Sequence, residues 1–353
     1  MILLAFDSFK GCLSAQEACR TARLGVAEVC PGEQVVELPL SDGGEGLVSC
    51  VEQMMPLKQV IVQVHGPLME PIEASYACTT DGRTAYMEMA AACGLMLVPK
   101  ERRNPIEATT YGVGEMMLDA QKRGCERIVM GIGGSATCDA GQGMLKALED
   151  GGWKQQKCHL TVACDVDNPL YGPRGAAYVF APQKGATPAQ VEELELRLRQ
   201  FAQRTEQAGL ANSDLAQYPG AGAAGGLGYA LLAYLKAELR AGIDIVLDLV
   251  GFDQLLAEVD LVITGEGKSD NQTLMGKVAH GVQKRCKATG VPVWLLSGAI
   301  DDSQGSLVQA FTLVRSINEN DHRPMEQLLQ PHVAMANLKQ SIEELLRIRK
   351  QRF

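Results

Sequence analysis

The chain opens on Ile2–Phe6, an unbroken apolar run stopped by Asp7-Ser8, and a run this short fits a buried strand and not a helix. The polar loop that follows leads to Ser14, which with Glu17 three positions on makes a capping-box signature ahead of a helical pattern reaching Val26. A second strand is expected over residues 34–40, then a glycine-rich loop over 41–46 and a helix over 47–55. Strand, helix, strand, helix is the order that builds a parallel sheet. Short apolar runs of the same kind return only at residues 261–264, 292–296 and 312–314, again with helical stretches between them.

The interval between these groups has a different pattern. Residues 60–64, 72–78 and 84–89 are closely spaced β-like runs separated by Gly66-Pro67 and Asp81-Gly82, the signature of antiparallel hairpins. Beyond them, residues 113–123 and 143–148 are helical and residues 127–130 form a strand ending in a glycine loop. The expected fold class is therefore α/β. A flavodoxin-like parallel-sheet domain, residues 1–60 plus 245–353, is interrupted by an inserted mixed α/β domain over residues 61–244. Ligands of such sheets bind beyond the carboxyl ends of the strands. That rule gathers Asp7-Ser8, the Asp42 loop, Gly265-Glu266 and Ser297-Gly298 at one edge and predicts an interdomain cleft.

Composition narrows the chemistry. A length of 353 residues with 46% hydrophobic content suits two packed domains. A net charge of -9 excludes a sequence-independent nucleic-acid binder, which needs an excess of Lys and Arg. The 11 cysteines are odd in number and include no CxxC, and the five histidines lack metal-ligand spacing, so neither a disulfide framework nor a zinc site is expected. With no basic leader and no long apolar stretch, a cytoplasmic protein without a membrane span is expected. A homo-oligomer is compatible with all of this.

Phosphoryl transfer needs donors around the moving phosphate, charge-neutralising cations and a group that orients the accepting hydroxyl. No GxxxxGK[ST] is present, so phosphate must be held by other means. The loop after the strand at 127–130 offers Gly133, Gly134, Ser135 and Thr137, whose N–H groups and hydroxyls suit an anion, although a tight strand-to-helix turn would use the same residues. The small-residue run carrying Gly222, Gly225 and Gly226 serves equally for phosphate contact or for close packing of a helix start. Asp42, Gly43, Gly44 and Glu45 form either a carboxylate-bearing ligand loop or an ordinary turn. Asp165 and Asp167 would share one side of a continued strand and bridge a metal, or form a solvated turn ending at Pro169. Glu266, Lys268 and Asp270 follow the strand at 261–264; there Asp270 orients a hydroxyl while Lys268 neutralises phosphate, or Asp270 simply caps a helix starting near Gln272. Lys184 is either a further phosphate cation or a solvated lysine before a helix.

Together these segments resemble the bacterial glycerate kinase family over nearly the whole chain. The resemblance rests on their order: Asp7-Ser8-Phe9-Lys10, Leu13-Ser14-Ala15, Asp42 to Gly46, Gly66-Pro67-Leu68, Glu88-Met89-Ala90-Ala91, Gly131 to Thr137, Ala163 to Leu170, Pro182 to Ala186, Gly222 to Gly226 and Ile263 to Gly267. It implies a two-domain, ATP- and Mg²⁺-dependent kinase making 2-phosphoglycerate or 3-phosphoglycerate from D-glycerate. It also implies that Asp7, Ser8, Lys10 and Asp42 line the cleft, with the loops at Gly131 and Gly222 opposite and with Asp165 or Asp270 positioning metal or hydroxyl. A kinase for a related small hydroxy acid, or a non-catalytic nucleotide or sugar-acid binder, would keep the same residues. The chain departs from the family pattern at Ala140 and Ala181, where glycine is usual, at Lys268, where arginine is usual, and in a shortened stretch between Leu148 and His159.

Overall fold

The computed structural model describes residues 1–9, 11–41, 46–154 and 157–351. Its strands, in chain order, are β1 (Ile2–Phe6), β2 (Val35–Glu37), β3 (Leu57–His65), β4 (Pro71–Thr79), β5 (Thr84–Glu88), β6 (Arg127–Gly131), β7 (His159–Ala163), β8 (Glu238–Arg240), β9 (Leu261–Gly265), β10 (Lys268–Ser269), β11 (Val293–Ser297), β12 (Ala299–Ile300) and β13 (Leu313–Ser316). The fold separates into two compact units, Met1–Asp42 with Ile243–Phe353, and Gly43–Gly242.

The first unit holds a five-stranded sheet in the order β13-β11-β9-β1-β2, parallel throughout. Numbered within the unit this is 2-1-3-4-5, the flavodoxin-like order expected from the sequence. β1, β9 and β11 are buried at every position, as strands covered by helices on both faces must be. On one face Ile2, Leu4 and Phe6 pack with Ala18, Ala22 and Val26 of the helix Ala15–Val29 and with Leu338 and Ile342 of the helix Pro331–Gln351. The two helices approach so closely that a Cβ on Gly25 would lie 2.9 Å from the Lys339 carbonyl. Ser14 caps the first of them with the reciprocal Ser14–Glu17 bonds expected.

The second unit holds a mixed six-stranded sheet, β3-β4-β5-β6-β7-β8. Its first three strands are antiparallel and the rest parallel. Methionines 87, 116, 117, 130 and 144 fill much of its core with Ile128 and Leu227. The helix Leu47–Met54, which the sequence order assigns to the first domain, packs in this unit: its Val48 N–H donates to Glu88 at the end of β5, 3.2 Å away. Apolar periodicity reports that a helix has a buried face, not which sheet buries it. Among the described residues no helix is long and apolar enough to cross a membrane.

Candidate active site

In the first unit β1 and β9 run side by side with Phe6 opposite Gly265, so both strands end together. Asp7 and Glu266 therefore emerge next to each other, and the Asp7 N–H donates to the Gly265 carbonyl at 3.0 Å. In a sheet of this order the gap between these two strands is the topological switch point, where helices leave to opposite faces and ligands bind. Gly265 is required by close approach, since a Cβ there would meet the Leu296 carbonyl at 1.7 Å. The following loop is held by a small parallel ladder in which Lys268 and Ser269 of β10 face Ala299 and Ile300 of β12.

Glu266 is buried and organises this loop. Its Oε1 accepts from the Ser269 hydroxyl at 3.1 Å and the Thr273 hydroxyl at 2.7 Å, while Oε2 lies 3.4 Å from the Lys277 ammonium. Ser269 also meets the Ser297 hydroxyl at 2.7 Å, which ties β10 to the end of β11. Asp270 caps the short 3₁₀ turn Asn271–Leu274: its Oδ1 accepts the Gln272 N–H at 2.9 Å, and its own N–H donates to Thr273 Oγ1 at 3.0 Å. Its Oδ2 is 3.6 Å from the Lys268 ammonium, which is also 4.0 Å from Asp301. Asp7, Ser8, Glu266, Lys268 and Asp270 all line one cavity of about 420 Å³.

In the second unit the loop after β6 is stitched down, with Ala136 N–H to the Cys93 carbonyl at 2.9 Å and Leu95 N–H to the Gly134 carbonyl at 2.8 Å. Of its candidate residues Gly134 is exposed and Gly133 half-buried, whereas Ser135 and Thr137 are buried. Lys184 is not a solvated lysine: it is 3% exposed and donates to Ser135 Oγ at 2.6 Å and to the Thr137 carbonyl at 2.8 Å. Burial holds its pKa below the ordinary lysine value, against the opposing pull of Asp139 among others. Gly222, Gly225 and Gly226 are also buried, and each supports a close approach: Cβ atoms there would lie 2.2 Å from the Pro169 carbonyl, 2.1 Å from the Thr137 carbonyl and 2.8 Å from a Leu170 methyl. Gly225 and Gly226 have positive φ, and so does Ala224 between them and Gly222. The packing alternative is what these glycines display.

The Asp165 and Asp167 pair is not brought together as a metal site. β7 stops at Ala163, so the alternation that would have aligned them lapses. Asp165 Oδ1 accepts the Gly242 N–H at 2.9 Å, while exposed Asp167 is held through both oxygens by Arg174 at 2.8 Å. Among the described residues no three His, Cys, Asp or Glu side chains gather as metal ligands. Lys10, Asp42, Gly43, Gly44 and Glu45 lie outside the described residues.

The motif order and the geometry meet in one comparison. A sequence profile described as the glycerate kinase family matches residues 2–151 and 150–350, which together span nearly the whole chain. The chain belongs to the glycerate kinase family. Curated relatives include the glycerate kinase of Bacillus subtilis, 44% identical over 87% of this chain and 87% of its own, and the glycerate 2-kinase of Escherichia coli K12, 39% identical over 91% of this chain and 92% of its own. Among solved structures, a provisionally named glycerate kinase 2 from Salmonella typhimurium LT2 superposes with a TM-score of 0.80 at 36% identity, covering 99% of this chain and 98% of that one.

Three residues of this glycerate kinase family member escape local sequence reasoning. Lys277 joins the Glu266 cluster from beyond the loop; a basic residue after Gly276, at the start of the helix Val278–Thr289, was the available signal. Glu88 holds the start of the helix Leu47–Met54. Asp139 anchors the segment after the glycine loop, accepting from the N–H groups of Thr110, Gly141 and Gly143 and from the Thr110 hydroxyl. Its place between Cys138 and a glycine-rich helix start is the kind of position in which an Asp captures backbone N–H groups.

Proposed function

We propose that this chain transfers the terminal phosphoryl group of ATP to D-glycerate, giving ADP and 2-phosphoglycerate. Similarity to a glycerate 2-kinase over 91% of the chain carries the reading, including the choice of hydroxyl. In-line transfer asks the protein for position and charge and not for a covalent intermediate. The switch-point cluster supplies candidates for both. Lys268 and Lys277 bring positive charge to the phosphates, and Asp270 and Glu266 supply carboxylates able to orient a hydroxyl and draw off its proton.

The residues present suit magnesium in one form. A magnesium ion usually keeps waters and takes one or two carboxylates plus the substrate's phosphates, not a full protein cage. Asp7 or Asp270 would add such a carboxylate, and the ion would neutralise phosphate charge; Asp165 and Asp167, committed to Gly242 and Arg174, would not. The eleven cysteines are free thiols, which favours a reducing cytoplasm as the working compartment.

Purified protein with ATP, Mg²⁺ and D-glycerate tests the reading, with ADP release coupled to an optical signal and the product identified by phosphorus NMR. Glycerate-dependent ADP release with a 2-phosphoglycerate resonance is expected. A 3-phosphoglycerate resonance would overturn the choice of hydroxyl. Turnover on tartronate or lactate but not on glycerate would overturn the choice of acid.

A further inference from the structure

The cavity at the switch point has a second character that the phosphate chemistry does not use. Beyond its charged residues it is lined by Phe9, Ile317, Met325, Leu328 and Leu329. Met325 and Leu329 are 58% and 47% exposed and stand apart from the hydrophobic cluster under the sheet, so much of their apolar surface is left for something else to cover. Glycerate is a poor occupant for such a wall. Every carbon of that acid carries oxygen, so it gains nothing from apolar contact and would lose hydration there. It is also far smaller than a cavity of about 420 Å³, a volume within the range of sites for whole cofactors and drug-sized ligands.

We propose that this cavity seats the purine nucleoside of the nucleotide substrate, with its base against Met325, Leu328 and Leu329 and its phosphates toward Lys268 and Lys277. This rests on the kinase reading for the identity of the nucleotide. A purine has two flat apolar faces and polar edges, which matches a cavity with an apolar wall and a polar end. Covering the faces gains about 25 cal/mol per Å² of apolar surface removed from water. The Met325 thioether adds a favourable contact with an aromatic ring. The two ammonium groups are 58% and 35% exposed and so remain available to an incoming polyanion. The site sits where sheets of this strand order bind nucleotides, outside the carboxyl ends of the strands at the reversal of strand order.

The test uses the full chain with Leu329→Glu, Met325→Lys and, as conservative control, Leu329→Met. Both positions are partly exposed, so a charge there leaves the fold standing. Calorimetric titration with the non-hydrolysable analogue AMP-PNP reads nucleotide binding directly, and steady-state kinetics read KM for ATP and for glycerate separately. Leu329→Glu should weaken AMP-PNP binding and raise KM for ATP by about tenfold or more, with KM for glycerate within about twofold and Leu329→Met near wild type. A rise in KM for glycerate with nucleotide binding unchanged, or no change in either, would overturn the assignment. Failure of the kinase reading looks different: wild-type protein would bind AMP-PNP, Leu329→Glu would weaken that binding, and no acid would support ADP release.

Discussion

The buried ammonium of Lys184 lies 2.6 Å from the hydroxyl of Ser135, a residue 49 positions earlier in the chain, and so clamps the loop that follows β6. Lys184→Met should cost about 1–3 kcal/mol, because it strips the donor from Ser135 and from the Thr137 carbonyl. The wild type should also show a pH signature that the variant lacks. The folded pKa of Lys184 lies below the unfolded value, so through the window between them the unfolded chain binds the extra proton and stability rises with pH. Thermal melts at successive pH values rising toward the ordinary lysine pKa of 10.5 should show the wild type gaining on Lys184→Met as pH rises. A variant as stable as the wild type with a parallel pH profile would remove the clamp from the account.

Asp270 has a backbone role and a candidate chemical role, and one substitution separates them. Asn caps a helix as well as Asp does, so Asp270→Asn should change stability by less than about 0.5 kcal/mol while turnover falls by about a hundredfold. Asp270→Ala should lose about 1 kcal/mol in addition. Near-normal kcat in the Asn variant would leave Asp270 as a cap alone.

Glu266→Gln keeps an oxygen for the Ser269 and Thr273 hydroxyls and removes the charge facing Lys277. Stability should move by no more than about 1 kcal/mol, since that pair is partly exposed on the lysine side. kcat/KM should drop about a hundredfold if the carboxylate acts on the acceptor hydroxyl. A large loss of thermal stability with unchanged specific activity would assign Glu266 to loop architecture.

Gly225→Ala combines two penalties. The residue has φ +67°, and the new Cβ would sit 2.1 Å from the Thr137 carbonyl. A loss of about 3 kcal/mol or more is expected, visible as a lowered denaturation midpoint or as insoluble protein. A variant melting with the wild type would mean that the two glycine-bearing segments separate without cost.

The parallel sheet was legible because its three central strands are buried on both faces, so each reads as an apolar run: Ile2–Phe6 and Leu261–Gly265 lie where the sequence puts them. β2 is shorter than the run at 34–40, yet the pairing carries on, with Leu38 and Leu40 N–H groups donating to the Leu4 and Phe6 carbonyls. Placement at strand ends also exposed Asp7, Glu266 and Asp270, since topology alone sends such residues to the ligand edge. The burial of Lys184 was not legible, because nothing local distinguishes a lysine that will meet a carbonyl from one that will meet water. The apolar wall from Met325 to Leu329 looks like ordinary helix core in sequence, and only the solvent left on it marks it out. Asp165 and Asp167 were not aligned for a local reason, since a shared side needed β7 to run four residues past Ala163.

The order of strands in the first sheet also governs how such a chain reaches its native state. β1 precedes its neighbour β9 by a long stretch of chain: the Thr264 hydroxyl donates to the Ala5 carbonyl across 259 residues. During synthesis β1 and β2 leave the ribosome as a two-stranded fragment with an open edge, and they wait through the whole of the second unit before β9 can close it. Contacts of such long loop span come late and slowly. The second unit, whose sheet is built from one continuous stretch of chain, has all its partners in hand first. In this chain the ends of β1 and β9, which carry Asp7 and Glu266, can meet only after the whole of the second unit has been made, so the two carboxylates come together late.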